Sequence, residues 1–165
     1  VNLVGEISGQ SASGVVACTA GLTWSIDLDF SSVTNEGAVT LTATHAGGAG
    51  SIAATTLQIT KDTVAPTMAI TSPASMSAIN AAGASSFTVS GPCSESARIV
   101  TGTLTSSGGG SPVAISALCS SGLWSGTANI SSLSDGTVTA ALSHEDQAAN
   151  AVNDNRSFTK DTVLP

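Results

Sequence analysis

The sequence is poor in charge and in aromatic residues. Among 165 residues there are 4 Lys plus Arg against 11 Asp plus Glu, two Trp, three Phe and no Tyr, and charged residues reach only 9%. Four cations scattered along a chain of net charge −7 cannot build the basic stripe that a phosphate backbone requires, so nucleic acid is not an expected partner. No apolar run approaches the roughly 18 to 20 residues of a membrane-spanning helix, and no basic segment followed by an apolar core is present at the start. An export signal is therefore expected to have been cleaved or to lie outside this sequence. What fills the chain is small: 27 Ser, 21 Thr, 25 Ala and 17 Gly make up 90 of the 165 positions. With weak charge and frequent Val, Ile and Thr, the composition is that of a folded, strand-rich protein rather than a disordered one.

An internal repeat organises the chain. Lys61-Asp62-Thr63-Val64-Ala65-Pro66 returns as Lys160-Asp161-Thr162-Val163-Leu164-Pro165, 99 residues later. The same offset relates Gly37-Ala38-Val39-Thr40 to Gly136-Thr137-Val138-Thr139, and His45 to His144. It drifts to 100 between Trp24 and Trp124, to 101 between Cys18 and Cys119, and to 97 between Val4-Gly5-Glu6-Ile7 and Thr101-Gly102-Thr103-Leu104. Tandem homologous domains are expected: residues 1–62 as a partial repeat lacking its first strands, and residues 63–165 as a complete one ending in the next linker. The counterpart of Thr67 to Ala97 is not found in the first repeat, which predicts a longer array in the gene.

Strand periodicity supports an all-β fold. Trp24, Ile26, Leu28 and Phe30 alternate with polar residues, as do Val39, Leu41 and Ala43, the period-2 signal of half-buried strands. In the second repeat the matching strands are Trp124 to Ile130 and Thr137 to Ser143. Met68 to Thr71, Phe87 with Val89, Ile99 to Leu104, Val113 to Ile115 and Asn155 to Lys160 bring the count to about seven. Turn signals separate them at Asn35-Glu36-Gly37, Gly91-Pro92, Gly108-Gly109-Gly110 and Asp135-Gly136. Seven short strands per repeat predict tandem immunoglobulin-like β-sandwiches.

Three cysteines remain to be placed. Cys93 ends one predicted strand and Cys119 precedes another, so a bridge between them is expected; it implies an oxidising compartment, at the cell surface or outside the cell. Cys18 matches Cys119, and the counterpart of Cys93 is missing from the first repeat. A missing partner, a reactive thiol and an intermolecular bridge all fit this odd cysteine.

Gly91-Pro92-Cys93-Ser94-Glu95, Cys119-Ser120-Ser121-Gly122-Leu123-Trp124, Leu133-Ser134-Asp135-Gly136-Thr137-Val138, Asp146-Gln147-Ala148-Ala149-Asn150 and Lys160-Asp161-Thr162 with Pro165 follow one another in the second repeat. In this order and spacing they resemble the bacterial Ig-like repeats of large surface and adhesin-type proteins. Ala149 stands where that family usually has Gly. In the first repeat the loop reads His45-Ala46-Gly47-Gly48-Ala49-Gly50, without a carboxylate. The resemblance implies a non-enzymatic extracellular stalk or spacer in cell attachment, with neighbouring Ig-like repeats as its partners. A self-assembling filament or pilus-like subunit completed by strand donation is the alternative.

The resemblance also implies calcium where domains meet, because Ca²⁺ takes 6 to 8 oxygens and such loops supply several. The candidate ligands are Glu145, Asp146, Asn150 and Asp161, with Asp62 weaker at the internal joint. Against this, Asp62 and Asp161 can cap turns, and Asp146 can organise its own loop. Trp24 and Trp124 fall in phase with apolar residues and are expected in the cores. His45 and His144 are expected as exposed strand-end residues with no catalytic role. Lys61 and Lys160 are read as linker residues, unsuited to stapling a core.

Overall fold

The computed structural model describes residues 1–21, 23–46 and 52–164. Leu22 of the Gly21-Leu22 match, Gly47–Gly50 of the first repeat's loop and Pro165 lie outside the described residues. The fold is nearly all β, as expected, and the chain divides into two compact units, Val1–Thr63 and Val64–Pro165.

Unit 1 is a four-stranded antiparallel sheet of β1 (Asn2–Ile7), β2 (Gln10–Val15), β3 (Gly37–Ala46) and β4 (Ile52–Lys61), in the order β2-β1-β3-β4. Ser8 and Gly9 join β1 to β2 with φ of 47° and 81°, two successive positive values that a tight hairpin turn requires. Its buried core is small: Ile7, Val33 and Val39, with Phe30 and Leu41 packed against them.

Unit 2 opens with isolated bridges from Met68 to Cys93 and from Ser72 to Ser90. Then follow β5 (Ala78–Ile79), the single turn α1 (Ala81–Ala84), β6 (Phe87–Pro92), β7 (Ile99–Ser106), β8 (Val113–Leu118), β9 (Leu123–Ala128), β10 (Gly136–Glu145) and β11 (Ala151–Lys160). A five-stranded sheet runs β5-β11-β10-β7-β8, and β6 pairs with β9. Residues from both sheets meet in one core: Phe87, Val89 and Trp124 from the smaller sheet, and Val100, Leu104, Val138, Leu142 and Phe158 from the larger. The rings of Phe87 and Phe158 meet edge to face with centroids 5.0 Å apart. The Cys93–Cys119 disulfide forms, with Cα atoms 6.0 Å apart, and both cysteines are buried in this core.

The opening segment lies directly on β6. The amides of Ala69 and Thr71 donate to the carbonyls of Pro92 and Ser90 at 3.2 and 2.9 Å. Any Cβ at Gly91 would strike the Ala69 carbonyl, so the glycine is required by close backbone approach.

Each unit contains its own copy of an equivalent antiparallel sheet, β2-β1-β3-β4 in unit 1 and β8-β7-β10-β11 in unit 2. Gly37 faces Lys61 and His45 faces Ala53 across β3 and β4; Gly136 faces Lys160 and His144 faces Val152 across β10 and β11, each residue 99 positions on. The ladders also correct one alignment. Val4 faces Thr42 and Thr103 faces Ala141, which puts β1 on β7 at an offset of 99 rather than the 97 of the sequence match.

The predicted strand Trp24 to Phe30 does not join a ladder. Its alternation survives, with Ile26, Leu28 and Phe30 half-buried between exposed neighbours. The corresponding strand of unit 2, β9, pairs with β6, and the described residues of unit 1 contain no counterpart of β6 to supply those hydrogen bonds.

Candidate functional site

At one end of the β10–β11 hairpin the carboxylate of Asp135 collects the chain leaving β11. Lys160 Nζ donates to the Leu133 carbonyl at 2.7 Å and to Asp135 Oδ1 at 3.0 Å. The Thr162 amide donates to Asp135 Oδ2 at 2.9 Å, and the Thr162 hydroxyl donates to the same carboxylate. Unit 1 repeats the arrangement 99 residues earlier with a longer acid. Lys61 Nζ donates to Glu36 Oε1 at 2.7 Å, the Thr63 amide to Oε2 at 3.2 Å and the Thr63 hydroxyl to Oε1 at 2.6 Å.

The hydrogen bond from the Thr162 amide, followed by that from Lys160, holds Asp135 below the usual carboxylate range. The hydrogen bonds from Lys61 and Thr63 do the same for Glu36. The lysines are therefore not linker residues as expected. Each ends a strand, and Lys160 is buried, because its ammonium reaches a carbonyl and a carboxylate together. An ionised carboxylate paired with an ammonium is the state in which neither group acylates the other. The clamp was not recognised from the sequence, although Glu36 and Asp135 share the offset of 99 that relates Lys61 to Lys160.

The calcium set is not brought together. Asp146 and Asn150 meet: the Asn150 amide and Nδ2 donate to Asp146 Oδ1 and Oδ2 at 2.9 and 2.8 Å. Burial pushes Asp146 up, but these hydrogen bonds, one from the Ala148 amide and the nearby Arg98 charge outweigh it and hold the acid low. Arg98 also donates to the carbonyls of Glu145 and Asp146, at 3.2 and 2.6 Å. Asp161 lies at the other end of the hairpin, where Lys160 faces Gly136 while Ala151 faces Glu145. At about 3.4 Å per residue the two ends are on the order of 30 Å apart. Asp161 accepts instead from the Val163 amide at 3.1 Å. Asp62 follows β4 in unit 1. No group of three or more His, Cys, Asp or Glu able to hold a metal occurs among the described residues. Asp146 and Asn150 at one end of the hairpin and Asp161 at the other do not form a single Ca²⁺ shell.

Two further expectations are corrected. Trp124 is in the core at 3% exposure and its indole N–H donates to the Ala69 carbonyl, but Trp24 is 39% exposed, because nothing among the described residues of unit 1 corresponds to the opening segment that covers Trp124. His45 is exposed as expected. His144 is fully buried, facing inward beside Leu142, with Nδ1 3.4 Å from the Ile99 carbonyl and Nε2 without a hydrogen-bond partner. Cys18 is a free, exposed thiol.

No protein-family model matches the chain, and no curated protein matches it. Among solved structures it is similar to a Ca²⁺-stabilised adhesin that helps an Antarctic bacterium reach out and bind ice, with 26% identity over 99% of this chain and a TM-score of 0.50. It is also similar to a tetra-tandem repeat from the extending region of a large adhesion protein, with 24% identity over 97% of this chain and a TM-score of 0.52; that likeness bears on the fold alone. The chain spans 41% of each of those chains, less than half their length. Both of these similar structures come from adhesion proteins. The buried disulfide fits an oxidising compartment, and no described helix is long and apolar enough to cross a membrane.

Proposed function

We propose that the chain carries one Ig-like repeat in part and a second whole, and that they act as a non-enzymatic extracellular spacer in a bacterial surface adhesin or appendage. The observation that carries this reading is mechanical. In unit 2, β5 runs parallel to β11. The chain enters ahead of β5 and leaves after β11, so tension on its ends slides one strand along the other. That motion loads three hydrogen bonds together rather than in turn: Met76 amide to Ser157 carbonyl, Thr159 amide to Ser77 carbonyl and Asp161 amide to Ile79 carbonyl, at 2.8 to 3.0 Å.

Side chains of β11 hold the opening segment as well. Asp154 accepts from the Ile70 amide at 2.7 Å, and Arg156 donates to the carbonyls of Thr71 and Pro73, both at 3.1 Å. A domain fastened at both ends in this way suits a spacer that transmits pull. The similar adhesin that helps its bacterium reach out supports the same reading. Calcium enters it only through that Ca²⁺-stabilised adhesin, because the Asp146 oxygens are engaged within their own loop.

The test is surface exposure. Antibodies raised against residues 64–165 should label intact cells of the source organism, and deletion of this segment should shorten the reach of attachment without abolishing target binding. Labelling only after cell lysis would contradict the proposal. The filament reading is favoured by one observation, the uncovered apolar face of unit 1, and predicts concentration-dependent assembly of the purified chain in sedimentation; the spacer reading predicts a monomer.

A further inference from the structure

The outer face of the larger sheet of unit 2 carries a cleft that neither the core nor the fastening of the chain ends uses. Ser143 faces Thr101 across β10 and β7. Glu145 and Ile99, two residues further along the same strands, fall on the same face by the period of two. Ala97, with φ of 66°, and Arg98 close the end, and the six residues line an open cleft of about 350 Å³. Arg98 is held in place by its own hydrogen bonds. Its Nε and Nη2 donate to the carbonyls of Glu145 and Asp146, and its backbone amide donates to the Glu95 carbonyl at 3.2 Å. Nη1 remains without a partner among the described residues, as do the Glu145 carboxylate and the hydroxyls of Thr101 and Ser143. Beside them Ile99 and its cross-strand partner Leu118 form an apolar pair, 55% and 57% exposed.

We infer that this cleft is a binding site for an uncharged sugar ring, such as one residue of a neutral polysaccharide. Glu145 can only accept hydrogen bonds, Arg98 can only donate them, and Thr101 and Ser143 do both. Neighbouring sugar hydroxyls, each a donor and an acceptor, satisfy all four groups at once. A ligand carboxylate would meet Glu145, and a ligand ammonium would meet Arg98, so either charge is disfavoured. Ile99 and Leu118 give the C–H face of the ring an apolar wall. Size argues the same way: the cleft lies at the lower end of the roughly 300 to 1,000 Å³ of small-molecule sites, which suits a ring rather than a protein partner. The backbone carbonyls that hold Arg98 fix its fork before the ligand arrives, which lowers the ordering cost of binding. Unit 1 does not repeat the site, because Ala46 stands 99 residues before Glu145. The inference concerns the outer face of the sheet and is independent of the spacer reading, which rests on β5 and β11.

The test is a titration of the whole, isotopically labelled chain with methyl glucoside, methyl galactoside and methyl mannoside, followed by NMR. At least one of the three should shift the methyl signals of Ala97 and Ile99 and the amide signals of Thr101, Ser143 and Glu145, saturating with a Kd on the order of millimolar, as befits so small a ligand. Glu145→Gln replaces a charged acceptor by a neutral one and should weaken binding about tenfold or more. Thr101→Val combined with Ser143→Ala should abolish saturation. Thr159→Val, at the far end of the β10–β11 hairpin, should leave it unchanged. Glucuronate and glucosamine should each bind at least about tenfold more weakly than the preferred neutral sugar. Amide signals elsewhere in unit 2 that stay in place in every variant separate loss of the site from loss of the fold. Absence of saturable shifts for all three neutral sugars up to about 100 mM would overturn the inference. So would binding that Glu145→Gln leaves intact, or tighter binding of either charged sugar.

Discussion

At the scale of single residues, the paired clamps make the acid limb of stability predictable. Asp135 and Glu36 titrate below the ordinary carboxylate range when folded, chiefly through hydrogen bonds from Thr162 and Lys160 and from Lys61 and Thr63. In acid the unfolded chain therefore binds protons first. Their contribution is complete above the unfolded carboxylate range, near pH 4, and is lost as pH falls through the lower folded values. Chemical denaturation between neutral and acid pH should show this loss, and Asp135→Asn with Glu36→Gln should flatten it; an unchanged slope in the double variant would remove the clamps from the account. The equivalent pair Phe158 and Ile59 tests the difference in covering. Phe158→Ala should cost about 3 to 5 kcal/mol, whereas Ile59→Ala, at an exposed site, should cost under about 1 kcal/mol. His144→Leu removes a buried ring nitrogen without a partner and should raise stability by about 1 kcal/mol, read from the denaturation midpoint.

Elements differ in how far the sequence announces them, and the reason is side-chain size. β10 and β11 are legible because Val138, Leu142 and Phe158 alternate with small polar residues and because Gly136 and Lys160 recur from unit 1. β2, with the sequence QSASGV, has hardly any apolar contrast between its faces, and only its hairpin with β1 defines it. The disulfide was also legible, from the position of two cysteines at strand ends. Trp24 and the segment to Phe30 were misread for another reason: periodicity reports which face a strand would bury, not whether a partner strand is present. Lys160 looked like a linker residue because its neutralising partner, Asp135, is distant in sequence and joined only by the hairpin. The staple between elements has a measurable worth. Its cysteines are 26 residues apart, so reducing it, or replacing both cysteines by Ser, should lower the stability of unit 2 by about 3 to 4 kcal/mol. Denaturant titration with and without reductant measures this directly, and an unchanged midpoint would contradict it.

Across the whole molecule, the units differ in the core that supports them. Unit 2 buries residues of two sheets with a disulfide between them, whereas unit 1 buries Ile7, Val33 and Val39 beneath a single sheet. Calorimetry should show two transitions, the earlier belonging to unit 1. Because Asp146 accepts hydrogen bonds from Asn150 and Asp161 one from Val163, millimolar Ca²⁺ and its chelation should leave the later Tm unmoved; a clear rise with Ca²⁺ would reveal a shell that these oxygens do not form alone. The central claim is that unit 2 is a spacer fastened to bear tension between its ends, and single-molecule extension of the chain from its two termini tests it most directly. The account predicts one cooperative unfolding event for unit 2 at constant pulling speed. Its released length should grow by about 90 Å when the disulfide spanning 26 residues is reduced. Gradual lengthening with no force peak, or a released length indifferent to reductant, would contradict it.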